Sequence, residues 1–331
     1  MPIRKWAWII LPLFLLFAYV LTQFVTTSVR IKEWVDPLRP VPVTEAASKR
    51  VVLISQELDN PYWRSIGDSA LAESKRVGLE LDYVGPLRIN AEEQLSLLEQ
   101  AIASKADAIL VQGTGLERSR ALIDQAAEAG IPVLTLDADE PDSRRASYIG
   151  TDNREAGKQM GRLIAEAADG KAVVGVLIGT TASDSQKLRL EGLQSILSTY
   201  PGIRVAEVRT SNISRLQAAS ETRLMLEAHP AITDVVGLSS LDALGAMDAV
   251  ESLKAEARTR IYAFDDLPDT RNAIEASKIS LSLVQKPEQM GAEAIVITAD
   301  LLRGISVPAN RYTPVTVLAP SAAGTKGADS P

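Results

Sequence analysis

The sequence predicts an α/β protein of doubly wound parallel sheets, and three observations carry that reading. Short runs of continuously apolar, β-branched residues alternate with stretches of helical periodicity, the pattern of βαβ units. The runs are too many for one small Rossmann unit, and 331 residues leave room for two domains or two lobes. Polar side chains gather where the runs end, which is where open α/β sheets hold ligands. A (β/α)8 barrel is the competing arrangement of the same alternation.

Taken in order, the chain opens on a cytoplasmic stub (1–5) with Arg4-Lys5, followed by an apolar run from Trp6 to Thr27 without a charged residue. As a helix that run would span about 33 Å, enough for a hydrocarbon core of about 30 Å. Trp6, Trp8 and Trp34 suit the headgroup level at its two ends. A cleaved signal peptide would have a shorter apolar core and a small-x-small site, and Thr26-Thr27-Ser28-Val29-Arg30 supplies neither. Residues 6–28 are therefore expected to be an uncleaved transmembrane anchor. Residues 29–49, with their prolines, read as an extended spacer. Residues 319–331, rich in Gly, Pro and small side chains, read as a disordered tail.

The folded part is expected over 50–318. Its strand-like runs are Val51–Ser55, Leu79–Gly85, Ala108–Gly113, Ile131–Asp137, Val173–Gly179, Arg204–Thr210, Asp234–Ser240, Arg260–Asp266 and Ile279–Val284. Several are apolar throughout, as parallel strands buried on both faces must be. Leu95, Leu98 and Ile102, and then Leu122, Ala126 and Ala129, fall at the three- and four-residue spacing of a helix with one apolar face. Gly130-Ile131-Pro132 ends one such helix and begins the next strand.

At the ends of the runs stand Asn60, Tyr62, Trp63, Gln112, Asp137, Asp139, Ser239, Asp265 and Gln285. Carboxylates, amides and hydroxyls with an aromatic pair describe a site for a neutral polyol. Its hydroxyls need acceptors and donors, and the apolar face of a sugar ring needs a flat ring beneath it.

Other chemistries lack their parts. A net charge of −7 disfavours nucleic acid. There is no cysteine, hence no disulfide, thiolate or lipidated N-terminal Cys. The single histidine, His229, precedes Pro230 where a helix stops, a capping position, and no local spacing suggests a metal cage or a triad. Gly113-Thr114-Gly115 has Arg118 where a dinucleotide loop needs its third glycine. Asp137 and Asp265 could be cast as a glycosidase pair, but both also fit plain hydroxyl acceptors. No enzyme, cofactor or metal is expected.

Arranged in order, several segments resemble the periplasmic binding proteins of the ribose/galactose type, whose fold also underlies the ligand-binding half of LacI-type repressors. They include Leu58–Trp63, Ile131–Asp137, Tyr148–Asn153, Arg189–Leu193, His229-Pro230, Asp242–Ala246, Phe264-Asp265 and Gln285–Gly291. The resemblance implies two Rossmann-like lobes joined by a three-strand hinge, lobe 1 over about 50–151 and 286–313, lobe 2 over about 152–285 and 314–318. It implies an amide contact from Asn60, stacking by Tyr62 and Trp63, acceptors at Asp137 and Asp265, and a hinge amide at Gln285. Lys187 falls where the family places a ligand-gripping arginine. Ala138 replaces another arginine, Ser239-Ser240 an Asn-Asp pair, and Ile213 an aromatic, so the second lobe is the less sugar-like half. A sugar or polyol receptor outside the cytoplasm is expected, partnered by an ABC permease or by a membrane sensor kinase. A repressor would need a DNA-binding motif where the apolar run lies.

Overall fold

The computed structural model describes residues 16–24, 26–27, 48–181 and 183–320. It divides into two compact units, Met1–Ser48 and Lys49–Pro331. Residues 16–24 of the first are helical. Most of the expected anchor, nearly all of the spacer and residues 321–331 lie outside the described residues. Among the described residues no helix is long and apolar enough to cross a membrane.

In the second unit, strand and helix alternate from the start: β1 (Arg50–Ile54), α1 (Pro61–Val77), β2 (Glu80–Val84), α2 (Ala91–Ala103), β3 (Ala108–Val111), α3 (Glu117–Glu128), β4 (Val133–Leu136) and β5 (Ser147–Thr151). The second lobe follows with α4 (Asn153–Ala167), β6 (Ala172–Ile178), α5 (Asp184–Leu197), β7 (Ile203–Thr210), α6 (Arg215–Ala228) and β8 (Asp234–Gly237). It continues through α7 (Asp242–Ser252), β9 (Arg260–Phe264), α8 (Pro268–Glu275) and β10 (Leu281–Val284). Last come α9 (Pro287–Leu302), β11 (Asn310–Thr313) and β12 (Thr316–Leu318).

The strands form two six-stranded sheets, ordered β11-β5-β4-β3-β1-β2 and β12-β10-β9-β8-β6-β7. Two separate sheets exclude the closed barrel. The chain passes from the first lobe to the second after β5, returns after β10, and crosses again between β11 and β12. Only Pro314 and Val315 separate those last two strands. A chain that leaves one lobe toward the cleft enters the other running away from it, so β12 pairs antiparallel with β10 while the remaining pairs are parallel.

Each sheet is covered on both faces. Val51 and Leu53 pack with Trp63, Ile66 and Met290 under α1 and α9, whereas Val52 and Ile54 pack with Leu95, Leu98 and Ile123 under α2 and α3. This is the two-residue alternation of a strand, with both faces apolar because both are buried. In the second lobe Val174 and Val176 face Met160, Ile164 and Leu193, while Leu177 and Val235 face Met225, Ala246 and Ile274.

One close approach bears on the site. A Cβ on Gly157 of α4 would lie 2.0 Å from the carbonyl oxygen of Arg189, and one on Gly192 of α5 2.1 Å from that of Arg154. The two helices are pressed together at glycine, which brings Arg189 beside the crossing after β5. His229 caps α6, its N–H donating to Met225 O at 2.9 Å.

Candidate ligand-binding site

The carboxyl ends of both sheets face one cleft that opens to solvent, the place where open α/β sheets hold ligands. Asp137 follows β4 and Asp265 follows β9, the fourth strand of each lobe, and each has φ of +65°. In that left-handed geometry the next strand holds each backbone: Asp137 N–H donates to Ile149 O at 3.0 Å and Asp265 N–H to Leu283 O at 2.8 Å. Aspartate is among the few residues that tolerate it. No helix begins directly after either residue, so both carboxylates are free of N-cap duty and reach the cleft.

The first-lobe wall is built around Asp137. Asn60 caps α1 by accepting from Tyr62 N–H at 2.9 Å, which fixes the first turn. Tyr62 Oη then donates to Asp137 Oδ1 at 2.9 Å. Gln112 Nε2 donates to Asp137 Oδ2 at 3.0 Å, with the Gln112 carbonyl held by Gln94 Nε2 at 2.8 Å. Burial pushes the Asp137 carboxyl above the usual carboxylate range, against the opposing pull of the Arg189 charge and of the Tyr62 and Gln112 bonds. Burial and the nearby acids likewise push the Tyr62 phenol well up, so it remains a donor. Trp63 meets Tyr62 edge-on, with centroids 6.2 Å apart. It lines the cleft but is only 2% exposed, its bulk sunk in the first-lobe core.

The second-lobe wall is tied to the hinge. Gln285, just after β10, donates from Nε2 to Asp265 Oδ1 at 2.9 Å, while its Oε1 accepts from Thr151 Oγ1 at 2.8 Å and Arg189 Nη2 at 2.8 Å. Arg189 also donates from Nε to Asn153 Oδ1 at 2.8 Å and from Nη1 to Leu238 O at 2.9 Å, and it lies over Phe264, 4.5 Å from the ring centroid. Burial drives the Asp265 carboxyl up to about 6; Arg189 and Gln285 oppose the rise and Asp137 adds to it. Asp242 accepts from Ser211 Oγ at 2.5 Å and from Ser239 N–H at 2.9 Å, bracing two loops at the cleft. Ser239 is 4% exposed and lines the cleft; its side chain, with that of Ser211, also draws the Asp242 carboxyl down against the rise that burial gives it.

Asn60, Tyr62, Trp63, Gln112, Asp137, Ser239, Asp265 and Gln285 thus come together. Asp139 and Lys187 do not. The Asp139 carboxylate accepts from Thr135 Oγ1 at 2.6 Å, from Glu140 N–H at 2.8 Å and from Arg145 Nη2 at 2.7 Å. It lines a neighbouring recess instead. Lys187 is exposed, pairs with Asp184 at 3.1 Å and lines that same recess. The reason is helical phase: residues two apart on α5 point about 200° apart, so Lys187 and Arg189 cannot both face the cleft, and Arg189 does. Gln56, Ser185, Gln186 and Ile213 also line it. Ser185 stands four residues before Arg189, on the same face, and that spacing is the signal that could have found it. Among the described residues no cluster of three His, Cys, Asp or Glu side chains is placed to hold a metal.

The periplasmic binding protein domain family matches this chain over residues 51–306. The chain belongs to that family. Among curated relatives of this binding protein, the ribose import binding protein RbsB of Salmonella typhimurium is 26% identical over 269 residues, spanning 81% of this chain and 90% of that one. Among solved structures, GanP, a glucose-galactose binding protein from Geobacillus stearothermophilus, is 37% identical with a TM-score of 0.81, covering 82% of this chain and 97% of its own. A chain of the XylFII-LytSN complex is 32% identical with a TM-score of 0.77, covering 82% and 98%. The type I fold, two lobes each built on a parallel sheet, is common to them.

Proposed function

We propose that this binding protein captures a sugar or sugar-like polyol between its lobes outside the cytoplasm and delivers it to an ABC transporter. The observation that carries the reading is the pair of acceptors, Asp137 and Asp265, facing each other from opposite lobes beside Tyr62 and Trp63. A polyol hydroxyl donates to each carboxylate, and the ring packs against Tyr62, which Trp63 backs from the core. Closure is driven by contacts that exist only when both walls meet the ligand. The named ligands of RbsB and GanP, ribose, glucose and galactose, support the class. The apolar run from Trp6 to Thr27 supports a single-pass anchor that keeps the domain at the outer face of the cell membrane.

A second reading makes the protein a receptor that reports its ligand to a membrane sensor kinase. It is favoured by the likeness to a chain held in a complex with LytSN. It also draws on the anchor, since a transmembrane helix can pack against those of a partner.

A thermal-shift screen of neutral monosaccharides tests the ligand class. One sugar should raise the melting temperature by several degrees while amino acids raise it by none, and Asp265→Ala should abolish that rise in a protein that still melts cooperatively. A full panel without a shift, or an undiminished shift in the variant, refutes the reading. For the anchor, alkaline washing should leave the chain in the membrane fraction with protease reaching the folded domain only from outside; release by the wash would contradict it.

A further inference from the structure

Charge in the cleft does not balance. Asp137 and Asp265 enter from opposite lobes, and among the described residues lining the cleft Arg189 is the one cation. Its guanidinium is already committed to Asn153, Leu238 and Gln285 through all three nitrogens. Lys187 faces a neighbouring recess, Lys286 and Arg271 line another on the far side of Asp265 and Gln285, and Ala138 beside Asp137 offers only a buried methyl group. Lobes closing over an uncharged ligand would seal two carboxylates and one guanidinium away from water, one negative charge in excess. An uncompensated charge is costly to bury. Burial, and to a smaller extent the charge of Asp137, already raises the Asp265 carboxyl against the pull of Arg189 and Gln285.

An ammonium group between the two acids would restore neutrality, and its three N–H donors suit acceptors on two sides. Resting on the polyol reading above, we propose that the cleft is built for a polyol bearing one protonated amine, an amino sugar or amino cyclitol. Its ammonium stands between Asp137 and Asp265, and its hydroxyls meet Asn60 and Gln285. Sugar acids and sugar phosphates, which would add to the excess negative charge, are rejected.

Calorimetric titration of the full chain, kept soluble in a detergent without a sugar headgroup, tests this. The probes are the 2-, 3-, 4- and 6-amino-deoxy forms of glucose, galactose and mannose, each beside its neutral parent, with the corresponding uronic acids. At pH 7.5 at least one amino sugar should bind tenfold or more tighter than its parent, and no uronic acid should bind. Asp137→Asn, which removes the excess charge, should weaken the amino sugar by a larger factor than its neutral parent, so that the ratio of the two affinities falls to about twofold or less. Neutral sugars binding as tightly as or more tightly than every amino counterpart would overturn the inference and leave the polyol reading standing. So would a uronic acid that binds best, or a preference that survives Asp137→Asn. If no probe of any kind binds, the polyol reading falls and this inference falls with it.

Discussion

The two lobes present the same acid at the same place and support it differently. Asp137 is wired within its own lobe, to Tyr62 on α1 and Gln112 after β3. Asp265 is wired to the hinge through Gln285, which also takes Thr151 Oγ1 and Arg189. The first lobe is a preorganised platform, complete before the ligand arrives. In the second, whatever touches Asp265 touches the residues at two of the three crossings. A ligand that lands on the first wall is held; one that reaches the second can move the lobes.

Arg189 is where that difference can be broken most severely. Arg189→Met keeps much of the volume but removes a buried cation and orphans Asn153, the Leu238 carbonyl and one side of Gln285. Loss of one member of a buried charged network costs about 3–5 kcal/mol, read as a lower urea midpoint at unchanged slope. A cost under about 1 kcal/mol would show that the hinge does not depend on it.

Protonation sharpens the comparison. With its carboxyl raised to about 6, Asp265 binds a proton in the folded state at pH values where the unfolded chain has released it. The stability it contributes is therefore full below the usual carboxylate value of 3.8, falls as pH rises toward 6, and is level beyond. Across that window it amounts to at most about 3 kcal/mol. Urea melts of wild type and Asp265→Asn at pH 4 and pH 7.5 should accordingly show the variant gaining on wild type at the higher pH. A difference independent of pH would place the titration elsewhere.

A smaller effect is expected at the helix contact that positions Arg189. Gly157→Ala forces a methyl group against the Arg189 carbonyl, so the helices must part, at about 1–3 kcal/mol, measured as a lower melting temperature. Smallest is Tyr62→Phe, which removes one donor from Asp137 at a cost of about 1 kcal/mol. Being confined to the first lobe, it should weaken ligand binding without altering the pH dependence that belongs to Asp265.

Legibility in the sequence followed the physics of each segment. β1, β3, β4, β6 and β8 to β10 were readable because strands buried on both faces must be apolar, and Asp137 and Asp265 because each closes such a run; the half-exposed edge strands β2 and β7 were readable from their place in the strand–helix alternation. β5 was readable only through the family resemblance: Ser147, Gly150 and Thr151 break the apolar pattern, yet every residue of the strand is buried. It is tolerated there because its polar atoms find partners, Ser147 Oγ at Pro308 O and Tyr148 Oη at Asp137 O. β11 and β12 are short and largely exposed, and carry no periodic signal.

Within the site, Asn60, Tyr62, Gln112 and Gln285 could be placed from their positions after strands. The family resemblance points to Lys187 and leaves Arg189 outside the site, the reverse of what the structure shows, because the choice depends on the phase of α5. The buried face of α5 includes Ser185, Gln186 and Arg189, so no hydrophobic stripe marks that phase. Asp139 was misplaced for a related reason: Arg145 and Thr135, which claim its carboxylate, meet it only in three dimensions.

Small-angle X-ray scattering with and without a sugar found by the thermal screen tests most directly whether the second lobe closes on a ligand seated against the first. The radius of gyration should fall on saturation in wild type. It should stay at the unliganded value in Asp265→Ala at any sugar concentration. A wild-type radius that does not change while calorimetry reports binding, or an Asp265→Ala variant that contracts as wild type does, would contradict the account.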